Sequence, residues 1–344
     1  MTFHGVDTVS PVLDEYGAMV REVMGAYLPK EEPRQYLYDP VADYPTRGGK
    51  MMRPSLCIAT ARAFGAEPAR AARAAAAIEM LHNSLLIHDD IEDESEERRG
   101  RPTLHAMHGI PIALNAGDTL AMLSIRPLLE NVYDTIPWLA LPIIHDMERM
   151  ARESAEGQAL ELGWRKDPGA RPTRDDYLLM VLKKTCWLAA IYPCRLGAML
   201  GTRGKIASDA FIRFGFFFGA AFQIQDDVLN LRGGPAYGKE GCGDLWEAKW
   251  TLMLIDVAKA LEDSEKPRFE AYLRKSRDDR TEDEIAWLFD KMEAIRAIEN
   301  AQAFARGLAG AALREFSILL ADVPDGRDKR FIRDLITWTF RRDH

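Results

Sequence analysis

The chain has 344 residues, 47% of them hydrophobic, with a net charge of −8 and a pI near 5.5. That acidic balance argues against nucleic-acid binding, which needs a basic footprint. Its four cysteines (Cys57, Cys186, Cys194 and Cys242) form neither a CxxC pair nor a disulfide framework, as expected of reduced thiols in the cytoplasm.

Ser10-Pro11 reads as an N-cap and first-turn pair, and Val12, Tyr16, Met19, Val23 and Tyr27 follow at helical spacing. Pro29, Pro33, Pro40 and Pro45 make residues 29–47 a connector. From Ala71 to His88 the composition, Ala-rich and then Leu-rich, predicts a buried helix. Thr173 and Thr281 each open a helix start, the second as a capping box with Glu284. Gly233 to Gly241 is a Gly-rich loop, and residues 262–283 form a charged surface connector before a C-terminal helical pair. The longest apolar runs, Ile136–Ile144 and Phe214–Phe222, fall short of the ~18 residues of a membrane span. Met1–Asp7 lacks the basic-then-apolar pattern of a signal peptide, so a soluble protein is expected. With no alternating strand pattern and no repeat, residues 1–344 are expected to form a single all-α domain. Its motif-bearing core spans about 45–255 and its C-terminal helices about 281–344.

Two acidic clusters stand in these helices, His88-Asp89-Asp90-Ile91-Glu92-Asp93 and Gln223-Ile224-Gln225-Asp226-Asp227-Val228-Leu229-Asn230. Each has an Asp pair and a further oxygen ligand at i+4 from the first Asp, one turn along the same helix face. Unpaired like charges at that spacing repel by roughly 0.2–0.5 kcal/mol per pair. The flanks, Leu85-Leu86-Ile87 and Phe216-Phe217-Phe218 with Phe222, are core-like, where charges need partners. A hard divalent cation removes the repulsion, and Mg²⁺ typically shares its shell with substrate phosphates. Lys50 and Arg53, at i and i+3 after Gly48-Gly49, can hold a diphosphate, the arginine through its planar fork. Arg98, Arg99, Lys184-Thr185, Gln223, Lys239 and Lys249 add further donors.

The ordered series Gly48–Pro54, Asp89–His105, Gly117-Asp118, Gly157-Gln158, Lys184-Thr185, Phe222–Asp227, Gly238-Lys239 and Lys249 resembles the trans-isoprenyl diphosphate synthase family. The resemblance implies an all-α isoprenoid synthase fold around a deep central cavity, usually in a homodimer. It also implies roughly three Mg²⁺ ions, shared with the substrate phosphates. Asp89, Asp90, Asp93 and Asp226 would ligate them, with Asp227 and Asn230 in support. Arg98, Lys184, Thr185, Gln223, Lys239 and Lys249 would meet the allylic diphosphate. Lys50, Arg53, His82 and Arg99 would bind isopentenyl diphosphate. Asp89, Asp90, Asp93, Lys184, Asp226 and Lys239 would carry the ionisation step.

Asn230 departs from the Asp that many relatives carry there and resembles geranylgeranyl diphosphate synthases. Glu92 stands where an apolar residue is common and is expected to face solvent. The growing chain is expected to pass Leu85, Ser84 and Leu81, with Met122 or Ile125 of the following helix as its floor. No aromatic stands at Ser84 or Leu85, so geranylgeranyl diphosphate is the expected product, with farnesyl or a C25 diphosphate as alternatives. A class I terpene cyclase would want Ser or Thr at Asn230 and Glu at Gly234, and a non-catalytic regulatory subunit would lack metal ligands. Phe331, Leu335 and Trp338 form one stripe of the last helix, expected to pack on the bundle.

Overall fold

The computed structural model describes residues 7–135, 137–232 and 241–340. After α1 (Ser10–Tyr27) come α2 (Asp39–Thr46), α3 (Met52–Ala63) and α4 (Pro68–Glu92). A short hairpin, β1 (Glu97–Arg98) and β2 (Arg101–Pro102), leads to α5 (Leu104–His108), α6 (Ile110–Thr135) and α7 (Ala140–Lys166). Then α8 (Arg174–Val181) runs through a π-helical stretch, Leu182–Ile191, into α9 (Tyr192–Thr202), followed by α10 (Phe211–Arg232). The rest is α11 (Gly243–Trp246), α12 (Leu252–Ala260), α13 (Lys266–Arg274), α14 (Glu282–Ala294), α15 (Ala297–Leu319) and α16 (Arg327–Trp338).

The all-α expectation holds, with local corrections. Ser10 is the first helical residue of α1; its N–H and that of Val9 both bond to Asp7 Oδ1, which serves as the cap. The expected connector 29–47 contains α2, because Pro40 sits in the first helical turn, where the missing N–H has no cost. Both Thr173 and Thr281 form capping boxes, with Asp176 and Glu284 respectively. The charged stretch 262–283 contains α13, and three helices follow it, not two.

In α4 the Ala-rich half is buried all round, so small side chains let neighbouring helices approach, and α6 and α3 pack closely on it. The π-helical stretch is gripped by glycines. A Cβ on Gly157 of α7 would collide with the Lys184 backbone, and one on Gly219 of α10 would lie 2.8 Å from Cys186 Cα. Lys184 and Thr185 thus stand on a widened turn held between α7 and α10. Phe331, Ile332, Leu335 and Ile336 of α16 are buried, and each such side chain contributes about 1.5–3 kcal/mol. That stripe packs against α3 and α15, as expected of the last helix; Arg341 and Arg342 lie outside the described residues.

Candidate active site

A cavity of about 560 Å³ opens between α4, α7, the π-helical stretch and α10. Its mouth is polar (Asp89, Glu92, Arg98, Gln158, Glu161, Lys184, Asp226, Asp227, Asn230, Asp244 and Lys249), whereas Leu85, Leu86, Leu162, Leu188 and Phe222 line its apolar part. The two acidic clusters therefore face one cavity from α4 and α10.

Within the first cluster the three aspartates part company. Asp89 lines the cavity, 3.3 Å from Lys184 Nζ. Asp90 is fully buried and outside the lining; Arg98 donates to it and Tyr44 Oη donates from 2.5 Å. Adjacent residues on a helix point about 100° apart, and here that rotation turns Asp89 to the cavity and Asp90 toward Tyr44 and Arg98. Asp93 is also buried, paired to Arg165 at 2.5 Å and Lys249 at 2.7 Å. Burial opposes its charge, but Lys249, Lys184 and Arg165 hold its pKa below the usual carboxylate range. Of the three aspartates expected to ligate metal, Asp89 lines the cavity, while Asp90 and Asp93 are buried against cations beside it. Glu92, expected to face solvent, is exposed but belongs to the cavity rim and accepts a bond from Gln158 Nε2 at 2.5 Å.

On α10, Asp226, Asp227 and Asn230 all line the cavity. Tyr177 Oη (2.6 Å) and Gln223 Nε2 (2.7 Å) donate to Asp227, and Thr185 Oγ1 donates to Gln223 Oε1 at 2.8 Å. Burial pushes the Asp227 carboxyl up to about 7, with Asp226 adding to the rise. Asn230 Oδ1 accepts the Asp244 backbone N–H at 3.0 Å, so the neutral residue holds the returning chain and brings Asp244 to the cavity wall. Lys184 donates to Glu161 at 2.7 Å; burial works against its ammonium, but Glu161 and Asp89 outweigh that and raise its pKa. Lys249 is raised in the same way by Asp93 and Glu247 against burial.

The cations assigned to a second diphosphate are only partly gathered. Arg53 and His82 line the cavity; Lys50 is exposed on the preceding loop, outside the lining. Arg99 donates to the backbone carbonyls of Tyr44 and Gly48, which ties its hairpin to the glycine loop. Arg47 adds to that tie, donating to the carbonyls of Arg98 (3.0 Å), Arg101 (3.3 Å) and Pro102 (2.7 Å). Lys239 lies outside the described residues.

Of the residues expected to meet a growing chain, Leu85 alone lines the cavity. Ser84 is buried and donates to the Gly117 carbonyl at 2.8 Å, and Leu81 is buried beside it, because both face α6. Met122 is 69% exposed on α6 and does not line the cavity, so within one chain it forms no floor. Sequence reasoning missed Tyr177, Glu161, Arg165 and Asp244. Gln158, Glu161 and Arg165 fall at i, i+3 and i+7, a polar stripe on α7 that helical spacing could have disclosed. Tyr177 carries no such signal.

A helical bundle thus turns aspartates of two helices and buried cations toward one cavity whose wall is partly apolar, the setting of a synthase. Residues 34–292 match the polyprenyl synthetase family. The chain is 30% identical to a geranylgeranyl pyrophosphate synthase of Geoglobus acetivorans, over 98% of this chain and all of that one. It is 38% identical to a short chain isoprenyl diphosphate synthase of Methanothermobacter thermautotrophicus, over 65% of this chain and 66% of that one. The crystal structure of a geranylgeranyl pyrophosphate synthetase from Pyrococcus horikoshii superimposes with a TM-score of 0.83 at 27% identity, covering 97% of this chain and 99% of that one. The chain belongs to the polyprenyl synthetase family and is a trans-prenyltransferase.

Proposed function

We propose that this enzyme joins isopentenyl diphosphate head-to-tail to an allylic diphosphate and releases geranylgeranyl diphosphate. The observation that carries the reading is the facing of Asp89 on α4 and Asp226 on α10 across one cavity that also holds Arg98, Lys184 and Lys249. Among the described residues no three His, Cys, Asp or Glu side chains converge tightly enough to hold a metal alone. Mg²⁺ takes one or two carboxylates and fills the rest of its shell with water and substrate phosphate. Asp89 from α4 and the Asp226–Asp227 pair from α10 would therefore hold separate ions through a shared diphosphate, with Asn230 placing Asp244 nearby. When bound, Mg²⁺ stabilises the charge that grows on a departing diphosphate.

The side chains do the rest. Lys184, Arg98 and Lys249 are fixed donors for the leaving oxygens, preorganised by Glu161, Asp90 and Asp93. Leu85, Leu86, Leu188 and Phe222 keep water from the allylic cation left by ionisation. The double bond of isopentenyl diphosphate then attacks that cation, and the released diphosphate takes the proton, so no side-chain base is needed. An aliphatic Leu85 on the cavity wall supports a C20 product over farnesyl diphosphate. Mass spectrometry of products made with Mg²⁺, isopentenyl diphosphate and each of the C5, C10 and C15 allylic diphosphates tests this. A series ending at C20 supports the reading; a series ending at C15 or C25 corrects the length, and cyclic hydrocarbons overturn it.

A homodimer fits the outer face of α6. Leu114, Met122 and Leu129 stand 47%, 69% and 45% exposed, with Asp118 and Arg126 one turn to either side of Met122. An antiparallel crossing at Met122 would set Asp118 against Arg126 of the partner subunit, so the stripe complements itself. No described helix is long and apolar enough to cross a membrane. Cys57, Cys186 and Cys194, buried and free, support a place in the reducing cytoplasm.

A further inference from the structure

The steps above make no use of one buried carboxylate. Glu79 lies on α4, 3% exposed, two helical turns and more before the aspartates. Asn83 Nδ2 donates to its Oε1 at 3.2 Å and to its backbone carbonyl at 2.7 Å. His82 Nδ1 lies 3.4 Å from the same carboxylate oxygen. Arg53 from α3 and Arg99 from the hairpin are further charges near it, and Arg53 Nε is buried without a hydrogen-bond partner among the described residues. Glu79 on α4, Arg53 on α3 and Arg99 on the hairpin are the charged groups that act on His82, and Asn83 holds the Glu79 carboxylate.

A carboxylate at Nδ1 fixes which ring nitrogen carries the proton. With Nδ1–H committed to Glu79, a neutral His82 offers only a lone pair at Nε2. A lone pair repels a phosphate oxygen, so the neutral ring is the wrong partner for a diphosphate. An imidazolium donates from both nitrogens, to Glu79 at one end and to the ligand at the other. Among these groups alone the ring is kept neutral: burial and Arg53 push its pKa down to about 4, against the pull of Glu79. A diphosphate reverses that balance, because its roughly two to three negative charges offset the positive charge of the two arginines.

We propose that Glu79 is a positioning residue that makes His82 a ligand-triggered proton acceptor: when the diphosphate of isopentenyl diphosphate enters, His82 takes one proton from solvent at Nε2 and donates it in a hydrogen bond to the ligand. The inference rests on the proposed function and on the family resemblance, which implies that Arg53 and His82, both on the cavity wall, bind that diphosphate. It means that affinity for isopentenyl diphosphate, but not for the allylic substrate, weakens as pH rises. It also distinguishes His82 from a glutamine, which would donate to the ligand with no exchange of protons.

Proton linkage measures this directly. Isopentenyl diphosphate is titrated into the Mg²⁺-loaded enzyme by calorimetry at pH 7.5, in buffers of differing ionisation enthalpy, for the native chain, His82→Gln and Glu79→Gln. The ligand's own proton change is common to all three, so differences report the side chain. The native chain is expected to take up roughly one proton more than His82→Gln, and Glu79→Gln most of a proton less than the native chain. If Glu79→Gln fails to fold, ¹⁵N-labelled histidine in the native chain gives the same answer, as His82 passes from neutral to doubly protonated on binding. Binding with equal proton counts in the native chain and His82→Gln overturns the inference and leaves the proposed function standing. No binding of isopentenyl diphosphate in any form of the protein overturns both.

Discussion

Arg98 grips Asp90 from the hairpin, its Nε 2.9 Å and 3.1 Å from the two carboxylate oxygens, and the pair is buried. Asp89, next in the chain, faces the cavity. Neighbouring acids of one motif thus have different surroundings, one on the cavity wall and one buried against a cation.

Substitution should separate them. Asp89→Asn is expected to lower kcat by about 10²-fold or more with melting temperature nearly unchanged, as a cavity-facing ligand requires. Asp90→Asn leaves Arg98 without its buried counter-charge and should destabilise the fold by about 3 kcal/mol. Thermal denaturation and steady-state kinetics on both variants check this. Equal losses of stability would sink the distinction.

Product length should answer to Leu85, not Ser84. Leu85→Phe narrows the cavity and is expected to shift product from C20 toward C15. Ser84→Phe forces a ring against Gly117 of α6, where overpacking costs about 1–3 kcal/mol. Chromatography of products from both variants reads the outcome; a length shift in Ser84→Phe alone would reassign the wall.

Asp227 predicts the pH response of protein stripped of divalent cations. Its carboxyl is raised to about 7 by burial, from a model-compound value of 3.8. Between those values the native state holds a proton that the unfolded chain has released, so stability falls as pH rises through that window. Melting temperature in EDTA should therefore decline from pH 5 to pH 8, and Asp227→Asn should flatten the decline. An equal decline in the variant would assign the effect elsewhere.

Met122 predicts assembly. Met122→Glu puts a charge at the centre of the exposed α6 stripe and is expected to yield a monomer in sedimentation velocity, whereas the native chain sediments as a dimer. A native monomer would remove the proposed interface.

The sequence disclosed the site unevenly. Asp89, Asp226 and Lys184 were legible because each lies in a local motif whose helical spacing has chemical meaning. Asp93 was legible as an acid but not as the partner of Lys249, 156 residues away, since nothing local records that contact. Ser84 and Leu85 looked interchangeable as wall residues. They differ by about 100° of helical rotation, and only the packing of α6 tells which one is covered.

By itself, then, the chain determined the all-α class, the two acidic helix faces and the ordered basic motifs that mark its family. These depend on periodicity and on residue type, which are local properties. Tertiary structure decided which of the adjacent aspartates faces the cavity, which cations reach it and where Arg53 of α3 meets Glu79 and His82 of α4. Those outcomes depend on helix rotation and on contacts between distant segments. A buried charge is stable only where another part of the chain meets it.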